Sequence, residues 1–242
     1  MNRRLSLVAL LSCASLLSSC SVVDFFGPRP NSALVELAQT ARADADRSDY
    51  GQLRLTQSEE LFAEVNRICG VEDTGDVPDT CTIDDKDPAA PSKSPEEAVK
   101  LLVELMDKAP EESRPLLAHQ AIQLARGNEA LPDNPDENTL AQARELLEFE
   151  YATIYGLDVA QTYGVEVDTD VHAELTLELR ELIGDDAPVS EASYSAEWPD
   201  DSSAKEFAKE LVQSSRDNFE AAAATAKDPQ WRSWLIHAAA KL

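Results

Sequence analysis

The chain has 242 residues, 43% of them hydrophobic, with 46 acidic side chains against 21 lysines and arginines and a formal net charge of −25. That apolar share suffices for a core and excludes a wholly disordered chain. The charge excludes nucleic acid as a partner, and it repels anionic lipid head groups, because both attractions have the wrong sign. The length admits one large or two small domains.

Asn2-Arg3-Arg4 is a basic start, Leu5–Leu17 is a largely apolar run, and Leu17-Ser18-Ser19-Cys20 sets small residues before a cysteine. A basic segment followed by a short apolar core is a secretory signal. A membrane-spanning helix needs about 20 apolar residues, more than this run supplies. The L-S-S-C ending resembles a bacterial lipobox, in which the cysteine thiol takes a diacylglycerol and becomes the first mature residue. A plain cleaved signal, using Ala14-Ser15 or Ser18-Ser19, is the alternative. The lipobox reading makes residues 1–19 a signal peptide and Cys20 the lipid attachment site. It makes residues 20–31 a tether rich in proline and places the domain outside the cytoplasm, on the outer face of the cell membrane. Two acyl chains, at about 0.8 kcal/mol per buried methylene, suffice for stable anchoring.

Of the four cysteines, Cys13 leaves with the signal and Cys20 carries lipid. Cys69 and Cys81 remain, an even pair in an oxidising compartment, and a disulfide is expected. A reactive dithiol would favour the C-x-x-C spacing, which is absent here. The segment 32–127 reads as a helical N-terminal portion. Ser32–Arg47 repeats Leu34, Leu37, Ala38 and Ala41 at helical spacing, and Thr56–Ile68 continues with Leu61 and Val65. The acidic stretches Glu72–Asp79 and Asp84–Asp87 lack the register of a calcium loop and read as solvated. Ser94-Pro95-Glu96-Glu97 is a capping box with proline at the first helical position, opening a helix to Lys108. Pro110 opens another, ending at Gly127.

Asn128–Asn138, with two prolines and several acids, is the best internal boundary. Beyond it, Thr139 to Tyr163 is the longest helix. Its apolar residues nearly encircle it, which predicts a central, buried helix. Asp168 or Thr169 caps the next, ending at Gly184. After Asp185–Asp201, Ser202 starts a third helix through Phe207, Leu211 and Phe219, and Asp228-Pro229 opens the last. Helices of about 15 to 25 residues are roughly 22 to 37 Å long, and the connection 185–201 can extend up to roughly 56 Å. It is long enough to cross the bundle. One long crossover is the ferritin-like form of the four-helix bundle, so the expected fold class is all-α, with that bundle in residues 139–242.

Residues 139–242 also resemble a ferritin-like family of unknown function found in actinobacterial lipoproteins and exported proteins. The resemblance rests on Glu148-Phe149-Glu150-Tyr151-Ala152-Thr153-Ile154-Tyr155-Gly156, on a crossover holding Tyr194 and Trp198-Pro199, on the alanines from Ala221 to Ala226, and on tryptophan in the last helix. It implies the fold and carries no activity.

Ferritin-like di-iron sites need a glutamate from each of two helices and a Glu-x-x-His pair from each of the others. The three histidines are His119, His172 and His237, and the residues three before them are Leu116, Thr169 and Trp234. No such pair exists, so neither a metal nor another cofactor is expected. Glu150 shares a face with Ala143, Leu146 and Leu157 and is expected to be buried. It then needs a partner, for which Arg180, Arg216 or a tyrosine hydroxyl qualifies. Glu148 lies on another face, and Glu174 and Glu178 are expected to face solvent. His119 and His237 lie on apolar faces, which suggests core histidines; His172, near a helix start, is expected at the surface. No P-loop, Rossmann or Gly-x-Ser-x-Gly motif occurs.

These features predict a non-catalytic accessory or scaffold of the cell envelope, anchored through Cys20 and holding an envelope or membrane protein. The alternative is a binding module whose aromatics, Phe149, Tyr151, Tyr155, Trp231 and Trp234, line an apolar ligand or lipid site in the bundle interior.

Overall fold

The computed structural model describes residues 27–242, apart from Ser48, Asp73 and residues 84–88. The signal segment, Cys20, most of the tether and the stretch from Asp84 to Asp87 lie outside the described residues. The described residues form eight α-helices and no strand: α1 (Ser32–Ala43), α2 (Gly51–Cys69), α3 (Pro95–Met106), α4 (Arg114–Leu124), α5 (Glu137–Thr162), α6 (Asp170–Ile183), α7 (Ala204–Thr225) and α8 (Pro229–Lys241). The all-α class is as the periodicity predicts.

The caps are chemical. Asn31, Ser94, Asp136 and Asp228 accept bonds from first-turn amides of α1, α3, α5 and α8, satisfying donors that a helix start leaves open. Boundaries differ from expectation where local contacts intervene. The first helix stops at Ala43, because the chain tightens into a 3-10 turn at Asp44–Asp46. The second starts a full turn earlier than Thr56, at Gly51. A side chain at Gly51 would run into the Ala45 carbonyl, so the α1–α2 corner needs glycine.

Asp44 closes this corner and is fully buried. It accepts from Arg54 Nε at 3.0 Å and from the Ser92 amide at 2.6 Å. Arg54 passes the network on to Gln57 (2.7 Å), whose amide donates to the Gln120 carbonyl on α4 at 3.1 Å. Desolvation lowers the Arg54 guanidinium from its ordinary value, and Asp44 opposes that shift. Cys69 and Cys81 are joined in a disulfide with a Cα–Cα distance of 6.4 Å. Beside it, Thr80 Oγ1 donates to the Pro28 carbonyl at 2.6 Å, holding residues 27–28 against the disulfide loop.

In the C-terminal half, α5 and α7 are antiparallel. Gln142 bonds Thr225 at 3.0 Å, Glu150 bonds Ser215, and Gly156 faces Leu211. The short turn after α5 makes α6 antiparallel to it as well, so α6 and α7 run the same way. The connection between them crosses the length of the bundle along α5. On its way Tyr151 donates to the Pro188 carbonyl at 3.3 Å, and Tyr155 packs against Tyr194 and Trp198 with ring centroids 5.4 and 5.6 Å apart.

One expectation is overturned. The long α5 is not the central helix, since Ala141, Glu145 and Glu148 keep a solvent-facing stripe. The central one is α8, buried at Trp231, Arg232 and every position from Trp234 to Ala239. Its packing exceeds what a helical wheel conveys because it contacts α3, α4 and α7 and also bonds α5 and α6 through Trp231 and Trp234. Arg232, wholly buried, donates to the Val103 carbonyl in the last turn of α3, to Asp107, and to the Ala226 carbonyl just past α7. One cation thus sits at two helix C-termini, where the macrodipoles favour it. The main hydrophobic core is continuous from Leu34 and Leu61 through Leu102 to Leu147, Phe219 and Trp234. A smaller cluster of Leu157, Ala160 and Ala208 lies apart from it.

Candidate functional site

Glu150 lies on the stripe of α5 that also carries Ala143, Leu146 and Leu157, and the fold buries it completely, as expected. Its partners are not the expected ones. Ser215 Oγ, from α7, donates to Glu150 Oε1 at 2.5 Å, and His172 Nδ1, from α6, lies 2.7 Å from Oε2. Arg180 is exposed instead. His172 is wholly buried rather than at the surface, because its position continues the stripe of Leu175, Leu179 and Ile183. That spacing was available in the sequence. Ser215 likewise continues the buried line of Ala208 and Phe219. The three elements converge because α5 is antiparallel to both neighbours, which sets the middles of α5 and α7 and the first turn of α6 at one level.

The order of the groups decides what the cluster does. The carboxylate stands between the hydroxyl and the imidazole, with one oxygen for each. Nucleophilic activation of a serine requires the imidazole between hydroxyl and carboxylate. Here the serine proton is directed to a carboxylate, and the imidazole is directed away from the serine. The His172 Nε2 and Thr153 Oγ1 atoms are buried with no protein partner among the described residues. A di-iron centre is also not assembled: among the described residues, no three His, Cys, Asp or Glu side chains are grouped to hold a metal. Glu150 and His172 supply one carboxylate and one imidazole where such a centre needs four carboxylates and two.

Glu148 is exposed. Glu174 and Glu178 do not simply face solvent: Lys241 Nζ donates to Glu174 at 2.9 Å and lies 3.4 Å from Glu178. Trp234 Nε1 donates to Glu178 at 2.7 Å. The bond from Lys241 and its charge hold the Glu174 carboxyl below its ordinary value. His119 is not a core residue; its side chain is 46% exposed beside Glu220. His237 is buried, with Nδ1 2.8 Å from the Ser233 carbonyl.

The five aromatics do not line one cavity. Trp231 and Trp234 stack on each other with centroids 4.9 Å apart inside the core. Phe149 borders a separate cleft of about 310 Å³ between α5 and α7, while Tyr151 and Tyr155 are taken up by the crossover. A different feature was not anticipated. A groove of about 920 Å³ opens between the α5–α6 turn and the first half of α7, lined by Val165, Glu166, Val167, Lys205, Ala208, Lys209 and Val212 among others. The α7 side of it was legible as residues at i, i+4 spacing, but nothing in the sequence set the α5–α6 turn beside them.

Comparison with protein-family models, with characterised proteins and with solved structures gives no significant match.

Proposed function

We propose that this protein is an extracytoplasmic lipoprotein, held at the outer face of the cell membrane by a diacylglyceryl group on Cys20, and that it acts as a non-catalytic accessory or scaffold of the envelope. The observation that carries this reading is Leu17-Ser18-Ser19-Cys20 after a basic, apolar leader. The Cys69–Cys81 disulfide supports it, because such bonds persist in oxidising compartments. The helix directions, with α6 and α7 parallel after a long crossover, favour a ferritin-like bundle and a kinship with the actinobacterial family. Its interior carboxylate is spent on Ser215 and His172, which favours a structural role for the position where ferritin-like enzymes hold metal. The partner is an envelope or membrane protein.

Metabolic labelling with a radiolabelled fatty acid tests the anchor. Label in the wild-type chain, and its loss together with release from the membrane fraction in Cys20→Ser, is the expected result. An unlabelled wild-type chain overturns the anchor. Crosslinking in cells, compared between wild type and Cys20→Ser, is expected to recover one reproducible envelope or membrane protein only from the anchored form. Elemental analysis without chelator is expected to find no stoichiometric iron or manganese; about two iron atoms per chain would make the protein an enzyme candidate.

A further inference from the structure

We infer that the end of the body around Gly27 and the Cys69–Cys81 loop is the one seated against the bilayer, and that the α5–α6 turn is presented away from it. The inference rests on Cys20 as the anchor and adds to that reading the orientation of the body.

Reach is the first argument. Only residues 21–26 separate Cys20 from Gly27. Fully extended, that length of chain spans at most roughly 25 Å. A folded body of about 215 residues has a radius of gyration of roughly 17 Å, and is therefore roughly 44 Å across if taken as a sphere. So short a tether cannot bring the side opposite Gly27 to the membrane. It confines contact to the half of the surface centred on Gly27. The tether's chemistry narrows the gap further. Val22, Val23, Phe25 and Phe26 are apolar, and apolar side chains beside an acyl anchor favour the membrane interface over water.

Attachment is the second. The body does not release more chain to the tether, because residues 28 and 31 are fastened to it. Thr80 donates to the Pro28 carbonyl at 2.6 Å, and Asn31 donates to the Lys108 carbonyl at 3.1 Å while capping α1. These bonds set the disulfide loop and the end of α3 at the near side.

The remaining helices define the far side. Arg232 links Asp107, next to Lys108, to the Ala226 carbonyl just past α7, and Gln142 of α5 meets Thr225 there. From that point α7 leads back over about 33 Å to Ala204. At its start Val165 and Val167, from the α5–α6 turn, pack on the smaller cluster apart from the main core.

Charge decides what holds the near end down. The loop exposes Glu72, Asp76 and Asp79, and Val71 beside them is 69% exposed. The acids repel anionic head groups over about 8 Å at physiological salt. The tether, and not adsorption of the loop, therefore seats this end.

The test couples the mature chain, Cys20 to Leu242, through its free thiol at Cys20 to a maleimide phospholipid. The host is a phosphatidylcholine nanodisc carrying a small share of gadolinium-chelating head groups. Methyl-labelled valines report line broadening, which falls steeply with distance from gadolinium. Val71 is expected to broaden at least threefold more than Val165 and Val167. Inserting a flexible glycine-serine segment of about twenty residues after Phe26 should cut the Val71 broadening at least twofold. Equal broadening at the three valines, stronger broadening at Val165 and Val167, or a pattern indifferent to the insertion overturns the inference. The anchor in this experiment is chemical, so it reads orientation whether or not cells lipidate Cys20. Fatty-acid labelling tests lipidation separately.

Discussion

The His172 imidazole and the Glu150 carboxylate meet at 2.7 Å with neither side chain exposed to solvent, and the pair joins α6 to α5 in the middle of the bundle. Removing one partner of a buried pair leaves an unsatisfied polar group and costs about 3–5 kcal/mol. His172→Ala is therefore expected to destabilise the protein by about 3 kcal/mol and Ser215→Ala by roughly 1–3 kcal/mol. The His172→Ala/Glu150→Gln double variant should lose less than the sum of the singles, since they share one network. Urea unfolding of the set measures this; single costs below about 1 kcal/mol would show that the cluster contributes little.

Exposed Glu148 makes the contrast. Glu148→Ala changes a solvated position and should shift stability by no more than about 0.5 kcal/mol. Unfolding midpoints of Glu148→Ala and Glu150→Ala, two residues apart on one helix, separate the faces of α5.

How much of this could be read from the chain depended on range. Helix existence, the caps at Ser94 and Asp228 and the burial of Glu150 follow from spacings within one element, and the Cys69–Cys81 pairing from elimination among the four cysteines. What α5, α6 and α7 bring to Glu150 did not follow, because a partner on another helix depends on the relative register of two elements, which no single stripe contains. Arg180 and Arg216 were reasonable by charge, but Arg180 faces solvent. The centrality of α8 was hidden for a related reason. It contacts α3 and α4 from the N-terminal half, and a helical wheel records only the helix's own composition.

Acid should weaken the fold through Glu64. The Arg67 side chain bonds this carboxylate and lowers it below its ordinary 4.5, with Ser113 helping and burial opposing. A carboxylate depressed in the folded state contributes stability above its unfolded value and loses it as pH falls through the folded one. Asp136 is lowered as well by the bond from Thr139 in the helix it caps, and Asp200 by bonds from Ser202 and Ser203 just ahead of α7. The unfolding midpoint should hold steady down to about pH 4.5 and then fall. Glu64→Gln should flatten part of that fall; an identical profile in the variant would remove Glu64 from the account.

Reduction of the disulfide, or Cys69→Ala with Cys81→Ala, is expected to cost roughly 3 kcal/mol on the chain-entropy estimate for a loop of this size. Thr80, which bonds Pro28, should loosen with it. Faster amide exchange at Arg29 and nearby backbone is the local readout, and unchanged exchange there after reduction would uncouple the two.

Gly156 tests the close approach of α5 and α7. An added Cβ would lie 2.6 Å from Leu211 Cδ1. Helix propensity favours alanine by about 1 kcal/mol, whereas overpacking costs about 1–3 kcal/mol. Since Leu211 is only partly buried and its tip can turn, Gly156→Ala should destabilise by about 1 kcal/mol net. Adding Leu211→Ala should remove the clash, and the propensity gain should then show. Thermal melts of the two variants decide; a Gly156→Ala chain more stable than wild type would mean that the helices are not in tight contact there.

The hydrogen bond from Thr80 to the Pro28 carbonyl also sets a path for mechanical load. Tension applied through the N-terminal segment reaches the folded body at Gly27 and Pro28, beside a loop closed covalently between Cys69 and Cys81. Asn31 adds a second fastening, donating to the Lys108 carbonyl at 3.1 Å while capping α1. A pull from that side is shared between the cross-linked loop and the end of α3 before it can peel α1 from the core.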